Sequence, residues 1–243
     1  MSVYAYTALH YGADYLGWAV ESVMPVAKEH IVLYASKPSY GQRTDMVCPE
    51  TFDQLRDEVP ESRWIHGNWS NETAHRQAIF KYLPNDTELL VVVDADEVYT
   101  PGLEQAVEYL MVLPQNKRRR KWRVGGFKHL WRSFNHACTD TMNPIRFIDL
   151  RAENPGEGSI YSPVLHFGYA QTYELMKYKW AIHGHKNELR TDYDWMQMYQ
   201  TWWMGGCRDC HPTCVGIWDP QPIDVLQYAP QLADHKFYGL EAI

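Results

Sequence analysis

The sequence predicts an α/β fold: a doubly wound, mainly parallel sheet followed by a smaller mixed lobe. Three observations predict it. Short apolar runs alternate with amphipathic helical patterns over residues 1–113. One run, Leu89 to Val93, is apolar at every position, as a strand covered on both faces must be. Beyond a basic run at 117–123 the pattern changes to strands broken by Gly and Pro. With 243 residues, 45% of them hydrophobic, the chain can bury one sizeable core, so one folded body is expected, with 1–113 as its first half and 114–243 as its second.

In order along the chain, Val3 to Thr7 is a short apolar strand, and Asp14 to Met24 carries Tyr15, Leu16, Ala19, Val20 and Val23 at helical spacing before Pro25 stops it. Ile31 to Ala35 is a second buried strand, Phe52 to Val59 a short helix and Arg63 to His66 a third strand. Asn71 is placed to cap a helix with Ala74, Ala78, Ile79, Tyr82 and Leu83 on one face. Leu89 to Val93 follows as a central parallel strand, then Leu103 to Leu113 as an amphipathic helix. In the second half, Val124 to Phe134, Ile145 to Leu150 and Ser159 to Leu165 read as strands, and Asp219 to Ile243, rich in Pro, is expected to wrap the surface. Met1 to Tyr6 has no export-signal character and no stretch approaches the roughly 20 apolar residues that span a bilayer, so a cytoplasmic protein is expected, in a host's cytoplasm if the source is viral.

A formal charge of -7 argues against a general polyanion binder, yet Lys117, Arg118, Arg119, Arg120, Lys121 and Arg123 form one dense cationic run. Ligands of a doubly wound sheet bind beyond the carboxyl ends of its strands, and Asp94 stands at such an end. In Asp94-Ala95-Asp96 the period of an extended chain points both carboxylates the same way, and two aligned carboxylates suit one hard cation such as magnesium or manganese. The bland alternative is a solvated acidic loop capping the next helix.

The segment from Glu72 to Gly102 resembles the family 2 glycosyltransferases along its length: Arg76 on a helix, the loop Pro84 to Thr87, the apolar strand Leu89 to Val93, Asp94-Ala95-Asp96, and Pro101. The resemblance implies a GT-A fold, Rossmann-like and doubly wound, with a smaller acceptor-side lobe, and a metal-dependent transfer of sugar from a nucleotide-sugar donor. It also implies that Asp94 lies near the donor ribose, that Asp96 binds Mn2+ or Mg2+, and that Arg76 reaches the nucleotide or diphosphate. Thr7-Ala8-Leu9-His10-Tyr11 looks like the family's opening loop, although Ser36-Lys37-Pro38-Ser39 stands where the family often has an Asp-Gly-Ser-like turn. Donor contacts are thus expected from Thr7, Arg76, Asp94, Ala95, Asp96 and Lys177.

His166-Phe167-Gly168-Tyr169 resembles a His-x-Gly-Tyr segment near the acceptor side of some members, and makes His166 the chosen third metal ligand beside Asp94 and Asp96, with His183 and His185 competing. Lys177, Lys179 and Lys186 are available to neutralise a leaving diphosphate. For a base that takes the acceptor proton, Glu97, Glu157, Asp192 and Asp194 are all available, and Glu97 and Asp194 are the catalytic candidates carried forward.

Two further clusters remain. Cys207, Cys210, His211 and Cys214 have zinc-ligand residue types, but four ligands within eight positions are cramped and reduced cysteines packing a loop are the alternative. The run Lys117 to Arg123, continued by Lys128, His129, Trp131 and Arg132, interleaves cations with aromatics as nucleic-acid surfaces do. It points to an anionic acceptor, either a modified DNA base, flipped or single-stranded, or an anionic glycan. The competing reading is a non-catalytic nucleic-acid-binding protein on a transferase-like scaffold.

Overall fold

A computed structural model of the chain describes residues 1–38, 44–139, 143–184, 186–205, 208–216 and 218–243, the side chains of 186 and 202–205 excepted. The first half alternates as the periodicity predicts: β1 (Val3–Leu9), α1 (Ala13–Val23), β2 (His30–Ala35), α2 (Phe52–Glu58), β3 (Arg63–Gly67), α3 (Glu72–Gln77), β4 (Leu89–Val92), β5 (Glu97–Tyr99) and α4 (Gly102–Val112). The second half holds β6 (Lys121–Trp131), β7 (His136–Cys138), β8 (Ile145–Asp149), β9 (Glu157–Tyr169), α5 (Tyr173–Ile182), α6 (Trp195–Gly205) and the two-residue β10 (Gln221–Pro222). Local chemistry sets several boundaries. Thr51 and Gln54 form a reciprocal capping box at the start of α2, and the Asn71 side chain accepts from the Ala74 amide at 2.9 Å to begin α3. The helix expected beyond Asn71 is α-helical only to Gln77 and tightens into a 3-10 turn over Ala78–Lys81.

Among the described residues, one sheet of ten strands joins both halves. Strands β3, β2, β1 and β4 lie side by side and parallel, so the strand order reverses between β1 and β4. Beyond β4 the sheet turns antiparallel through β8, which pairs Phe147 with Val91 and Asp149 with Leu89. The long β6 carries β9 along its length in parallel, β8 at its start and β7 near its end.

The apolar run of β4 is covered on both faces. Leu89, Val91 and Val93 join Val3 and Ala5 of β1 against α1 and α4, while Leu90 and Val92 join Tyr4 and Tyr6 against Ala78 and Ile79. The carboxyl terminus does more than wrap the surface. Ile223 and Ile243 donate backbone hydrogen bonds to Asn135 and Arg132, and His235 stacks on buried Tyr15 at 4.9 Å. Val225, Ala229 and Leu232 are buried in the same cluster. No helix of the described residues is long and apolar enough to cross a membrane.

Candidate functional site

A cleft of about 570 Å³ opens where the carboxyl ends of β1 and β4 part, at the reversal of strand order. Its walls bring together Ala8 to Gly12 from β1 and its loop, Arg76 from α3, Asp94 to Glu97, Arg146 from β8, His129 and His166, and Lys179 and Trp180 from α5.

The loop after β1 can approach Ala95 closely because position 12 is glycine. Gly12 has φ 125°, and a Cβ there would stand 2.7 Å from the Ala95 methyl. This contact lays the start of α1 against the Asp94-Ala95-Asp96 turn. The adjoining His10 is fixed by Ala35 O and by the Tyr178 hydroxyl, each at 2.7 Å.

Ion pairs organise the floor. Arg76 donates to Asp94 at 2.8 and 3.3 Å and to Glu72 at 2.7 Å. Arg146 donates to Asp94 at 2.8 Å and to both oxygens of Glu97 at 2.7 and 2.5 Å. Burial opposes the charge on Asp94, but the two guanidiniums outweigh it and hold the carboxyl below its usual range. Glu97 is 1% exposed, and burial pushes its carboxyl up against the pull of Arg146.

Asp96 has different company. The three-residue β5 pairs antiparallel with β9, setting Glu97 across from His166, and the Phe167 amide donates to Asp96 O at 2.7 Å. His166 Nε2 stands 3.7 Å from Asp96 Oδ1, and Lys179 Nζ 3.8 Å from Asp96 Oδ2. Burial, then the neighbouring His129 and Lys179, depress His166 well below the ordinary imidazole range and keep it neutral. Its Nδ1 lies 2.9 Å from His129 Nδ1, which orients the ring. Burial also lowers the Lys179 ammonium, which donates to Gly168 O at 2.9 Å.

A hard divalent ion at this turn would be held by Asp96 and His166. The separation of 3.7 Å is too long for a hydrogen bond, yet two donors each about 2.1 Å from a shared ion stand roughly 3–4 Å apart. No set of three His, Cys, Asp or Glu among the described residues converges on one point, so only Asp96 and His166 would serve. Magnesium-class ions accept few protein ligands and keep the other positions for water and phosphate oxygens. Asp94, expected to share the ion, is engaged by Arg76 and Arg146 at both its oxygens.

Other expectations fare differently. Ala95 lines the cleft. Thr7 does not: it is fully buried, and its hydroxyl donates to Val93 O at 2.7 Å and faces His30 Nε2 at 3.0 Å. Lys177 is exposed on α5, whereas Lys179, on the face shared with Met176 and Trp180, enters the cleft. Of the base candidates only Glu97 reaches the cleft, with both oxygens on Arg146. Asp194 is exposed and caps α6 through the Gln197 amide at 3.0 Å. Glu157 pairs with Arg123 and Asp192 with Arg190, outside the lining. His183 lines the cleft, while His185 and Cys207 lie outside the described residues, as does the Lys186 side chain.

No residue from 117 to 123 lines the cleft. Arg118 donates to Leu113 O at 2.9 Å, Arg119 to Arg118 O at 2.9 Å, and Arg120 to Leu150 O at 3.2 Å, so part of the basic run closes the chain's own turns. Sequence reasoning missed Arg146 altogether, and took His129 as part of the basic stretch rather than as the support of His166.

No family model matches the chain, and no curated protein matches it. Among solved structures, 4-diphosphocytidyl-2C-methyl-D-erythritol synthase from Anaerococcus prevotii is similar with a TM-score of 0.42 at 10% identity, over 72% of this chain and 93% of that one. The inositol-1-phosphate CTP transferase from T. maritima is similar with a TM-score of 0.40 at 7% identity, over 73% and 95%. Similarity at this level assigns neither a fold family nor a function to this chain.

Proposed function

We propose that the chain is a nucleotide-sugar-dependent glycosyltransferase of the family 2, GT-A kind. One observation carries the reading: the Asp94-Ala95-Asp96 turn leaves β4 where the strand order reverses, with Arg76, His166 and Lys179 converging on it in a single cleft.

In this reading the donor's nucleoside lies along the loop His10 to Gly12. Asp94, kept ionised by its arginines, still has acceptor capacity for a ribose hydroxyl, because Arg76 and Arg146 take three of a carboxylate's roughly four lone-pair sites. The diphosphate faces Lys179, whose ammonium offsets the charge that grows as the sugar departs. A divalent ion held by Asp96 and His166 supplies further positive charge to that leaving group when bound. The acceptor sits against Tyr169, Trp180 and Trp218, whose rings line the cleft and suit the face of a sugar or a base.

The test is donor binding, by thermal shift and calorimetry with a panel of UDP-, GDP- and other nucleotide sugars, with and without manganese, on the wild type and Asp96→Ala. Stabilisation by one donor that strengthens with manganese and vanishes in Asp96→Ala supports the transferase. Binding of no donor across the panel overturns it.

A further inference from the structure

The first helix begins without a cap of its own, because its N-cap residue is Gly12, which has no side chain to offer. A distant residue takes that role. Glu50 Oε2 accepts the Gly12 amide at 2.5 Å and the Ala13 amide at 3.1 Å. A carboxylate suits this end of a helix, where the backbone presents partial positive charge. Burial pushes the Glu50 carboxyl up, while the two amides pull it down.

Glu50 is itself fixed from two sides. The next residue, Thr51, starts α2 with its capping box, and α2 packs on α1 where Leu55 and Val59 share a buried cluster with Leu16 and Val20. Two residues earlier, Cys48 meets the Tyr178 hydroxyl of α5, which stands 2.7 Å from His10 Nε2. The segment from Cys48 to Thr51 therefore grips the loop after β1 at both ends, at His10 through Tyr178 and at Gly12 and Ala13 through Glu50.

That loop is a wall of the cleft: Leu9, His10, Tyr11 and Gly12 line it, whereas Glu50 does not. Helix N-termini commonly receive a ligand's phosphate, but here the protein's own carboxylate occupies the two amides. The diphosphate is left to Lys179 and the turn at Asp96, and the loop is left to receive the nucleoside.

We propose that Glu50 is a positioning residue for the donor, its carboxylate holding the loop His10 to Gly12 in the shape that receives the nucleoside. The identity of the ligand rests on the transferase reading, and the clamp rests on the two hydrogen bonds. A loop that is in its binding shape only part of the time weakens apparent affinity by that fraction and leaves the later chemistry unchanged. Loss of Glu50 therefore raises KM for the donor and spares kcat.

The test compares Glu50→Ala, Glu50→Gln and Glu58→Ala with the wild type, in calorimetry with the same panel of UDP- and GDP-sugars and manganese. Hydrogen exchange of the Gly12 and Ala13 amides is followed by NMR in the same proteins without donor. In Glu50→Ala both amides are expected to exchange about tenfold faster or more, with donor affinity about tenfold weaker and kcat within about twofold of the wild type. Glu50→Gln keeps an oxygen for both amides and should restore affinity to within about threefold. Glu58→Ala, which removes a carboxylate beside Gly17 farther along α1, should change neither reading. Should Glu50→Ala not fold, Glu50→Asp withdraws the carboxylate by one methylene and is expected to shift both readings in the same direction.

Unchanged exchange of the two amides overturns the clamp whether or not any donor binds. A wild type that binds no donor of the panel overturns the transferase reading and the donor role of Glu50 with it. Equal binding by wild type and Glu50→Ala, a fall in kcat with KM unmoved, or Glu50→Gln as weak as Glu50→Ala overturns the positioning role alone.

Discussion

Arg146 lies between Asp94 and Glu97, with its Nη2 2.8 Å from Asp94 Oδ2 and 2.5 Å from Glu97 Oε1. The arginine comes from β8, Asp94 from the turn that follows β4, its antiparallel neighbour, and Glu97 from the start of β5. It is thus the sheet itself that holds the floor of the cleft in shape.

Replacing Arg146 by methionine strands Glu97 at 1% exposure with no cation at its oxygens. Breaking a buried pair from one side costs about 3–5 kcal/mol, so Arg146→Met is expected to lose that much in urea denaturation. Arg146→Met combined with Glu97→Gln should recover part of the loss. Additivity of the two changes would refute the pairing as the cause.

Gly12 offers a second stability test. Its φ of 125° and the 2.7 Å approach to Ala95 together predict that Gly12→Ala loses more than about 1 kcal/mol and lowers the melting temperature. A neutral result would mean that the loop after β1 does not rest on Ala95.

Lys179→Met removes the ammonium facing Asp96 while keeping the length of the side chain. If the transferase reading holds, the melting temperature stays near that of the wild type and turnover falls about 10²–10³-fold, the usual cost of one charge-stabilising donor. Lys177→Met, on the exposed face of α5, should leave turnover unchanged.

His30 predicts an acid limb in the stability curve far from the cleft. It is 2% exposed between the Thr7 and Ser62 hydroxyls, and burial lowers its folded-state pKa from 6.5 to about 3. The unfolded chain then binds the proton first, so stability is full above the unfolded pKa and falls as the pH drops through 6.5 towards 3. From pH 7 to 5 the loss due to this group is about 2 kcal/mol. Denaturation of His30→Gln at both pH values should show a correspondingly smaller drop, and an unchanged pH dependence would remove His30 as its source.

Much of the first half was legible in the sequence, because burial on both faces writes itself as an unbroken apolar run and one-sided burial as a helical stripe. The run Leu89 to Val93, its turn at Asp94 and the cap at Asn71 stand where the pattern puts them, while the pairing of Arg76, expected to reach a nucleotide or diphosphate, with Asp94 is visible only in the structure. The misses have tertiary causes. Strand β5 spans three residues inside an acidic turn, and only its pairing with β9 sets His166 beside Asp96. Arg146 reads locally as one polar residue in a short strand, and its meaning depends on which strand lies next to β8. Thr7 is buried inside the sheet, two residues before the end of β1, which runs on to Leu9. Lys177 and Lys179 differ only in helical phase, which is fixed by where α5 packs.

The pairing of β8 with β4 also bears on how the chain is made. Until Phe147 to Asp149 leave the ribosome, the strand that ends at Asp94 has β1 on one edge and no partner for its other edge, although every residue of α1, α2 and α3 has already emerged. A nascent chain stopped near residue 113 carries the whole acidic turn yet exposes a bare sheet edge, which is a template for pairing with other chains. The cleft is therefore completed late in synthesis, and the first half by itself is expected to aggregate rather than fold.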